Sequence, residues 1–154
     1  DAHIREQDDF DKCDSVHFDA LLHGCIAEAA DLDAALAKHV DRKTTELSQA
    51  TLFTTTPSLF KGEARAIYDQ LEAKVQLARY GADCYAFAMI AGGSVDIVTD
   101  PSLQTYDIAA LIPIIEQAGG VVTTFDGRPA ENGGDVLAAA TPQLHEAALK
   151  MLVR

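Results

Sequence analysis

The sequence has 154 residues, 48% of them hydrophobic, enough for one domain of ordinary size or a compact domain with a smaller appendage. Its formal charge is −12, with 12 acids against 5 bases up to Ser48 and 12 against 7 after it, so nucleic acid or an anionic membrane would meet a repelling surface on both parts. No apolar run reaches the roughly 18 to 20 residues of a membrane span and no basic, apolar leader is read at the start, which makes the cytoplasm the expected setting.

Along the chain, Asp1 to Lys12 holds few apolar residues and is expected to fray. Asp14-Ser15 can cap a helix in which Val16, Phe18, Leu21, Leu22, Cys25 and Ile26 recur at three- and four-residue intervals, and Asp31 can cap a second through Leu32, Leu36 and Val40. His17 falls four residues after Cys13 and six before His23, but a third and fourth ligand at metal spacing are missing. Cys13, Cys25 and Cys84 are odd in number and far apart, so they read as reduced thiols.

The pattern changes near Ser48, where strand and helix begin to alternate. Ala50 to Thr55 is β-branched and aromatic, Pro57 marks a turn, and Glu63 to Gln76 has a helical period through Ala66, Ile67, Leu71 and Val75. Leu77 to Tyr80 reads as a short strand, Asp83 to Ala91 as a buried helix and Val95 to Thr99 as a strand. Tyr106 to Gln117 reads as one apolar helix, ended by Gly119-Gly120 where a left-handed cap needs glycine. Strands over Val121 to Phe125 and Val136 to Ala140 follow, with a turn at Asp126-Gly127. A last helix starts at Thr141-Pro142, with proline at its first position. About five strands interleaved with four helices predict an α/β fold, a roughly five-stranded mixed sheet layered with helices over residues 49–154, preceded by a helical segment over 1–48.

Chemistry gathers in three stretches. Tyr106-Asp107-Ile108-Ala109-Ala110-Leu111-Ile112-Pro113-Ile114-Ile115-Glu116-Gln117-Ala118-Gly119-Gly120 places a carboxylate at the first turn of an apolar helix, where free amides favour its charge and hold it as a hard ligand. An Asp there can also simply cap the helix. Arg79-Tyr80-Gly81-Ala82-Asp83-Cys84-Tyr85-Ala86 places Asp83 at another helix start, again open to an N-capping role. Asp100 precedes Asp107 by seven residues, in an Asp100-Pro101-Ser102 run that also reads as a plain turn.

Together these stretches resemble the C-terminal half of the inositol monophosphatase family over Ser48 to Arg154. Tyr106-Asp107 with its Ala-Gly-Gly-ended helix is similar to the family's second signature, and the Arg-Tyr-Gly-x-Asp-Cys-Tyr run is similar to its histidinol-phosphatase branch. Most relatives have Trp where Tyr106 stands and Gly where Leu111 stands. The resemblance implies a Mg2+-dependent phosphomonoesterase ancestry, with Asp107 as a magnesium ligand. Gly81 and Ala82 would present backbone to the substrate, Asp83 would offer a carboxylate to its amine or imidazole, and Asp100 would stand where relatives place a substrate-contacting Glu one methylene longer. The family's other metal ligands come from a Glu and an Asp-Pro-(Ile/Leu)-Asp-Gly-Thr run. This sequence has no such run, since its one Asp-Pro, Asp100-Pro101, continues Ser102-Leu103. Weak or absent magnesium binding and negligible independent hydrolysis are therefore expected.

Phe10 to Ser48, with Asp11-Lys12-Cys13-Asp14-Ser15-Val16-His17-Phe18 and Asp41-Arg42-Lys43-Thr44-Thr45-Glu46-Leu47-Ser48, resembles the central helices of the transcription antitermination factor NusB. That resemblance implies an RNA-binding adaptor ancestry, without the family's basic N-terminal segment. Two explanations stand: a composite polypeptide joined near Glu46-Leu47-Ser48, or a natural phosphatase with a diverged, shortened front. Three functions follow: a phosphatase fragment inactive alone, a module that binds a protein partner or a second copy of itself, and a NusB-like RNA adaptor that the acidic charge disfavours.

Overall fold

Successive side chains of a strand point to opposite faces, so a sheet covered on both sides must be apolar at every position of its central strands. The computed structural model describes residues 15–28 and 44–152, and its central strands are apolar on both faces apart from the buried Thr51, Thr54, Thr99 and Asp100. Strand β1 (Thr51–Thr54) sends Leu52 to one face and Phe53 to the other. Strand β3 (Ile97–Leu103) does the same with Ile97 and Val98, and β5 (Gly134–Ala139) with Leu137 and Ala139 against Val136 and Ala138. With β2 (Leu77–Tyr80) and β4 (Val121–Thr124) they form one mixed five-stranded sheet of order β2-β1-β3-β5-β4. The β2–β1–β3 side is parallel, and β5 and β4 join antiparallel.

Two helical layers cover the sheet. The first holds α3 (Asp83–Ala91), α4 (Thr105–Ile108) and α5 (Leu111–Gln117), whose Phe87, Ile90, Ile108, Ile112 and Ile115 pack on Val98, Val122, Val136 and Ala138. The second holds α2 (Glu63–Glu72) and α6 (Pro142–Leu152), whose Tyr68, Leu71, Leu144 and Ala148 pack on Leu52, Ile97 and Leu137. The mixed sheet expected from the sequence is present.

Three departures from the expected elements exceed two residues. The helix expected over Tyr106 to Gln117 is two helices, parted at Ala109–Ala110. Pro113 explains the break, because it lacks an N–H and its ring crowds the carbonyl four residues back, that of Ala109. Pro113 is tolerated in the first turn of α5, where that N–H would be unpaired anyway. Second, β3 runs on past Thr99 to Leu103, and Pro101 falls in the ladder irregularity between Asp100 and Leu103, where no donor is required. Third, the helix expected to Gln76 stops at Glu72. The Gly119-Gly120 cap forms as expected. Gly119 sits at φ +88°, Gly119 N–H reaches Glu116 O at 2.9 Å and Gly120 N–H reaches Ile115 O at 2.9 Å.

The described residues fall into two compact units, 44–152 and a front unit of 15–28. Within it α1 (Ser15–Ala27) carries the first helix expected from the sequence, with Val16, Leu21 and Ile26 exposed. The Asp1 to Lys12 tract, Cys13, and the helix expected after Asp31 lie outside the described residues.

One buried group makes the fold pH-sensitive. His145 of α6 is buried against β4, its Nε2 2.9 Å from Thr123 Oγ1. The Thr123 hydroxyl spends its only proton on Thr124 O at 2.8 Å, so the imidazole must donate and is the Nε2–H tautomer. Burial pushes the His145 pKa below its ordinary value. The unfolded chain therefore takes up this proton first as pH falls, so His145's contribution is present above about pH 6.5 and is lost below it. Melting temperatures at pH 7.5 and 5.5 should show a drop in the wild-type chain that shrinks in His145→Gln; an equal drop in both would contradict this.

Candidate functional site

Loops leaving β1 and β3 go to opposite faces of the sheet, the first toward α2 and the second toward α4 and α5. Adjacent parallel strands whose connections part in this way leave a crevice outside their C-terminal ends. Here the crevice is a cavity of about 400 Å3 lined by Thr55, Leu59, Asp83, Cys84, Phe87, Asp100, Pro101, Ser102, Leu103 and Asp107. Three carboxylates predicted from sequence, Asp83, Asp100 and Asp107, thus face one cavity although 24 residues separate the first from the last. Gly81 and Ala82 do not line it.

Asp100 comes from the C-terminal part of β3 and is buried. Its Oδ1 accepts the Thr54 hydroxyl at 2.6 Å and the Thr55 N–H at 2.7 Å, and its Oδ2 accepts the Thr55 hydroxyl at 2.9 Å. Burial pushes its pKa above the ordinary carboxylate value, the three hydrogen bonds pull it back, and the nearby charge of Asp83 adds to the rise. The run Asp100-Pro101-Ser102 is part of a strand, so the plain-turn reading is replaced by a bulged strand end held by β1.

Asp83 is the first residue of α3. Ala82, in left-handed geometry at φ +70°, occupies the cap position without a side-chain bond, and Asp83 itself has φ +42°. Asp83 is thus not the N-cap. Its Oδ1 instead accepts the Thr55 hydroxyl at 3.1 Å, across from β1. Gly81, at φ +89°, turns the chain out of β2 and donates its N–H to Thr54 O and Thr55 O, each at 3.0 Å.

Asp107 lies in the first turn of α4. Its Oδ2 accepts the Gln104 N–H at 2.8 Å as half of a capping box. The capping role and a ligand role are compatible, because only Oδ2 is engaged by the cap and among the described residues the second oxygen has no hydrogen-bond partner. Upstream, Ser102 stands at φ +61° with its N–H donated to Asp135 Oδ1 at 2.9 Å, which ties the bulge of β3 to the start of β5.

Thr54, Thr55, Leu59, Cys84 and Phe87 escaped the sequence reading. The signal for the threonines was the Thr54-Thr55-Thr56 run at a strand's C-terminal end, which becomes informative only when β3 is known to be its neighbour.

Among the described residues no Lys, Arg or His lines the cavity. Such a surface attracts cations and hydrogen-bond donors and repels a phosphate dianion unless a bound cation neutralises it. The described residues do not fit a complete metal centre: none form a group of three or more His, Cys, Asp or Glu side chains able to hold an ion, and Asp107 offers one oxygen. A second cavity, of about 380 Å3, is lined by Asp126, Arg128 and Asp135 among others and holds none of the predicted site residues; its one arginine is paired with Asp126 at 2.6 Å.

Comparison with known proteins follows the same lines. The inositol monophosphatase family model matches residues 14–154. The bifunctional phosphatase IMPL2, chloroplastic, of Arabidopsis thaliana is 40% identical over 120 residues, 72% of this chain and 35% of that protein. Histidinol-phosphatase of Streptomyces coelicolor is 33% identical over 131 residues, 84% of this chain and 48% of that protein. The chain thus spans less than half the length of these curated relatives. An inositol monophosphatase from Zymomonas mobilis superposes with a TM-score of 0.68 at 37% identity, over 72% of this chain and 45% of that one. Transcription antitermination protein NusB of Delftia acidovorans is 50% identical over 48 residues, 31% of this chain and 23% of that protein.

Proposed function

The chain belongs to the inositol monophosphatase family, and from that premise we propose that it forms one half of a magnesium-dependent phosphomonoesterase site whose substrate carries an amino alcohol of the histidinol type. The observation that supports this most is the convergence of Asp83, Asp100 and Asp107 on one cavity in which no described residue is basic. An ammonium or imidazolium group of the alcohol portion suits Asp83 and Asp100, while Leu59 and Phe87 offer apolar walls to a ring. Gly81 and Ala82, beside the cavity, would offer backbone to the substrate. Asp107 has one oxygen to give to an ion. The remaining ligands are not among the described residues, and the reading assigns this chain no hydrolysis of its own.

The front segment enters the reading as NusB-like sequence joined near Ser48, a composite origin supported by its 50% identity to a NusB over 48 residues. Charge weighs against RNA as its partner, with 24 acids to 12 Lys and Arg. A second reading, a module that binds a protein or its own copy, draws on Tyr80, Tyr85 and Tyr106, which lie 55%, 66% and 83% exposed. A cytoplasmic setting belongs to the same proposal; among the described residues no helix is long and apolar enough to cross a membrane.

Nuclear magnetic resonance of the purified chain tests the substrate reading. L-Histidinol should bind at about millimolar strength, roughly 4 kcal/mol. It should move the amide signals of Thr55, Asp83, Cys84, Ser102, Leu103 and Asp107. No shift at saturating histidinol, or shifts gathered around Arg128 instead, would defeat the reading.

A further inference from the structure

We propose that Thr55 is the positioning residue of this site: its side chain yokes Asp83 to Asp100, holding two carboxylates from different elements as one acceptor edge toward the ligand. Three observations carry this. The Thr55 hydroxyl lies 3.1 Å from Asp83 Oδ1 and 2.9 Å from Asp100 Oδ2, so one atom bridges α3 and β3. Its own N–H holds Asp100 Oδ1 at 2.7 Å, and Thr54 Oγ1 holds the same oxygen at 2.6 Å, which fixes Asp100 from β1 at both oxygens. Among the described residues Asp83 has no comparable anchor. It stands at φ +42° directly after Ala82 at φ +70°, in a turn whose cap residue makes no side-chain bond, and its side-chain partner is Thr55.

The physics makes the bridge necessary. Two like charges in one cavity repel, and Asp83 can relieve that repulsion by swinging toward solvent, while Asp100 cannot, being held by β1. A hydroxyl has a single proton, so Thr55 alternates or shares it between two strong acceptors. A hydrogen bond to a charged group outweighs the rotamer freedom that an aspartate side chain gives up. With Thr55 in place both carboxylates point at the space where a donor of the ligand would sit. Without its hydroxyl, Asp83 is released and the edge is halved. Valine keeps the shape and removes the hydroxyl; serine keeps the hydroxyl and removes the methyl.

The experiment has two arms on the full chain in three forms, wild type, Thr55→Val and Thr55→Ser. The first reads the side-chain rotamer of Asp83 from three-bond couplings, without ligand. A single rotamer is expected in wild type and Thr55→Ser, and averaging over rotamers in Thr55→Val, with the amide signals of β3 and β5 unmoved. A single Asp83 rotamer in Thr55→Val overturns the proposal. The second arm titrates L-histidinol and rests on the substrate reading above: binding should weaken about tenfold in Thr55→Val, the loss of one such bond at 1.4 kcal/mol per decade, and stay within about twofold in Thr55→Ser. Equal affinity in Thr55→Val and wild type overturns the role in recognition. If wild type does not bind histidinol while the rotamer result holds, the substrate reading falls and the yoke stands.

Discussion

Replacing Gly133 by alanine is expected to cost the fold about 2 to 5 kcal/mol and to lower its melting temperature by on the order of 10 °C. Two costs add. Gly133 stands at φ +76°, a left-handed conformation that costs an L-residue roughly 1 to 2 kcal/mol. A Cβ there would also collide with the carbonyl of Leu103 and approach the Gln104 carbonyl carbon at 2.9 Å. Both are backbone atoms, so no side-chain rotation relieves the clash and the strand end must move, an overpacking cost of about 1 to 3 kcal/mol. Gly119 is the natural control. It has φ +88° but nothing within 4 Å of the place an added methyl would take, so its alanine variant should lose only the conformational part, about 1 to 2 kcal/mol. Equal thermal shifts in the two variants would show that the close approach of Gly133 to β3 does not matter.

The site feels the same contact. Gly133 leaves no room for a side chain against the Leu103 and Gln104 backbone while Asp135 holds the Ser102 N–H, so the turn before β5 packs tightly on the stretch that joins Asp100 to Asp107. Asp107 in turn depends on Gln104, whose N–H occupies one of its oxygens.

Much of this was legible in the chain because local signals agreed with one another. Leu77 to Tyr80 and Asp83 to Ala91 form the strand and helix that their composition predicts, with the same ends. Pro142 opens α6 as a first-turn proline should, and Gly119-Gly120 closes α5. The break at Ala109–Ala110 was encoded by Pro113 but outweighed by an apolar period that runs across it, which shows periodicity overriding a local steric rule in the reading and not in the molecule. Asp83, Asp100 and Asp107 could be named from their stretches, but not the contacts that hold them. Those depend on which strands are neighbours: Phe53 pairs with Val98, and this register sets Thr54 and Thr55 beside Asp100. Three threonines in a row look like ordinary β-formers until β3 is laid beside them. The capping position was ambiguous for a related reason. Whether Asp83 or Ala82 caps α3 turns on two left-handed residues that composition does not announce.

The sharpest expectation concerns Asp107. If its one oxygen left free by the protein is an arm of a divided magnesium centre, then this chain with L-histidinol phosphate and magnesium should release phosphate at the background rate, with or without Asp107. Joining the chain to the N-terminal half of a histidinol-phosphatase such as that of Streptomyces coelicolor should supply the missing carboxylates at high effective concentration and produce turnover. Asp107→Asn should then remove most of it. A bound metal ion contributes several kcal/mol of transition-state charge stabilisation, and losing about 4 kcal/mol of it with the ligand that holds the ion corresponds to roughly a thousandfold in rate. Thr55→Ser, by contrast, should stay close to the parent rate. Phosphate release by the joined protein, compared with its Asp107→Asn form, is the deciding measurement: a thousandfold loss is the predicted result, and an Asp107→Asn form as fast as its parent, or brisk hydrolysis by the 154-residue chain alone, would contradict the account.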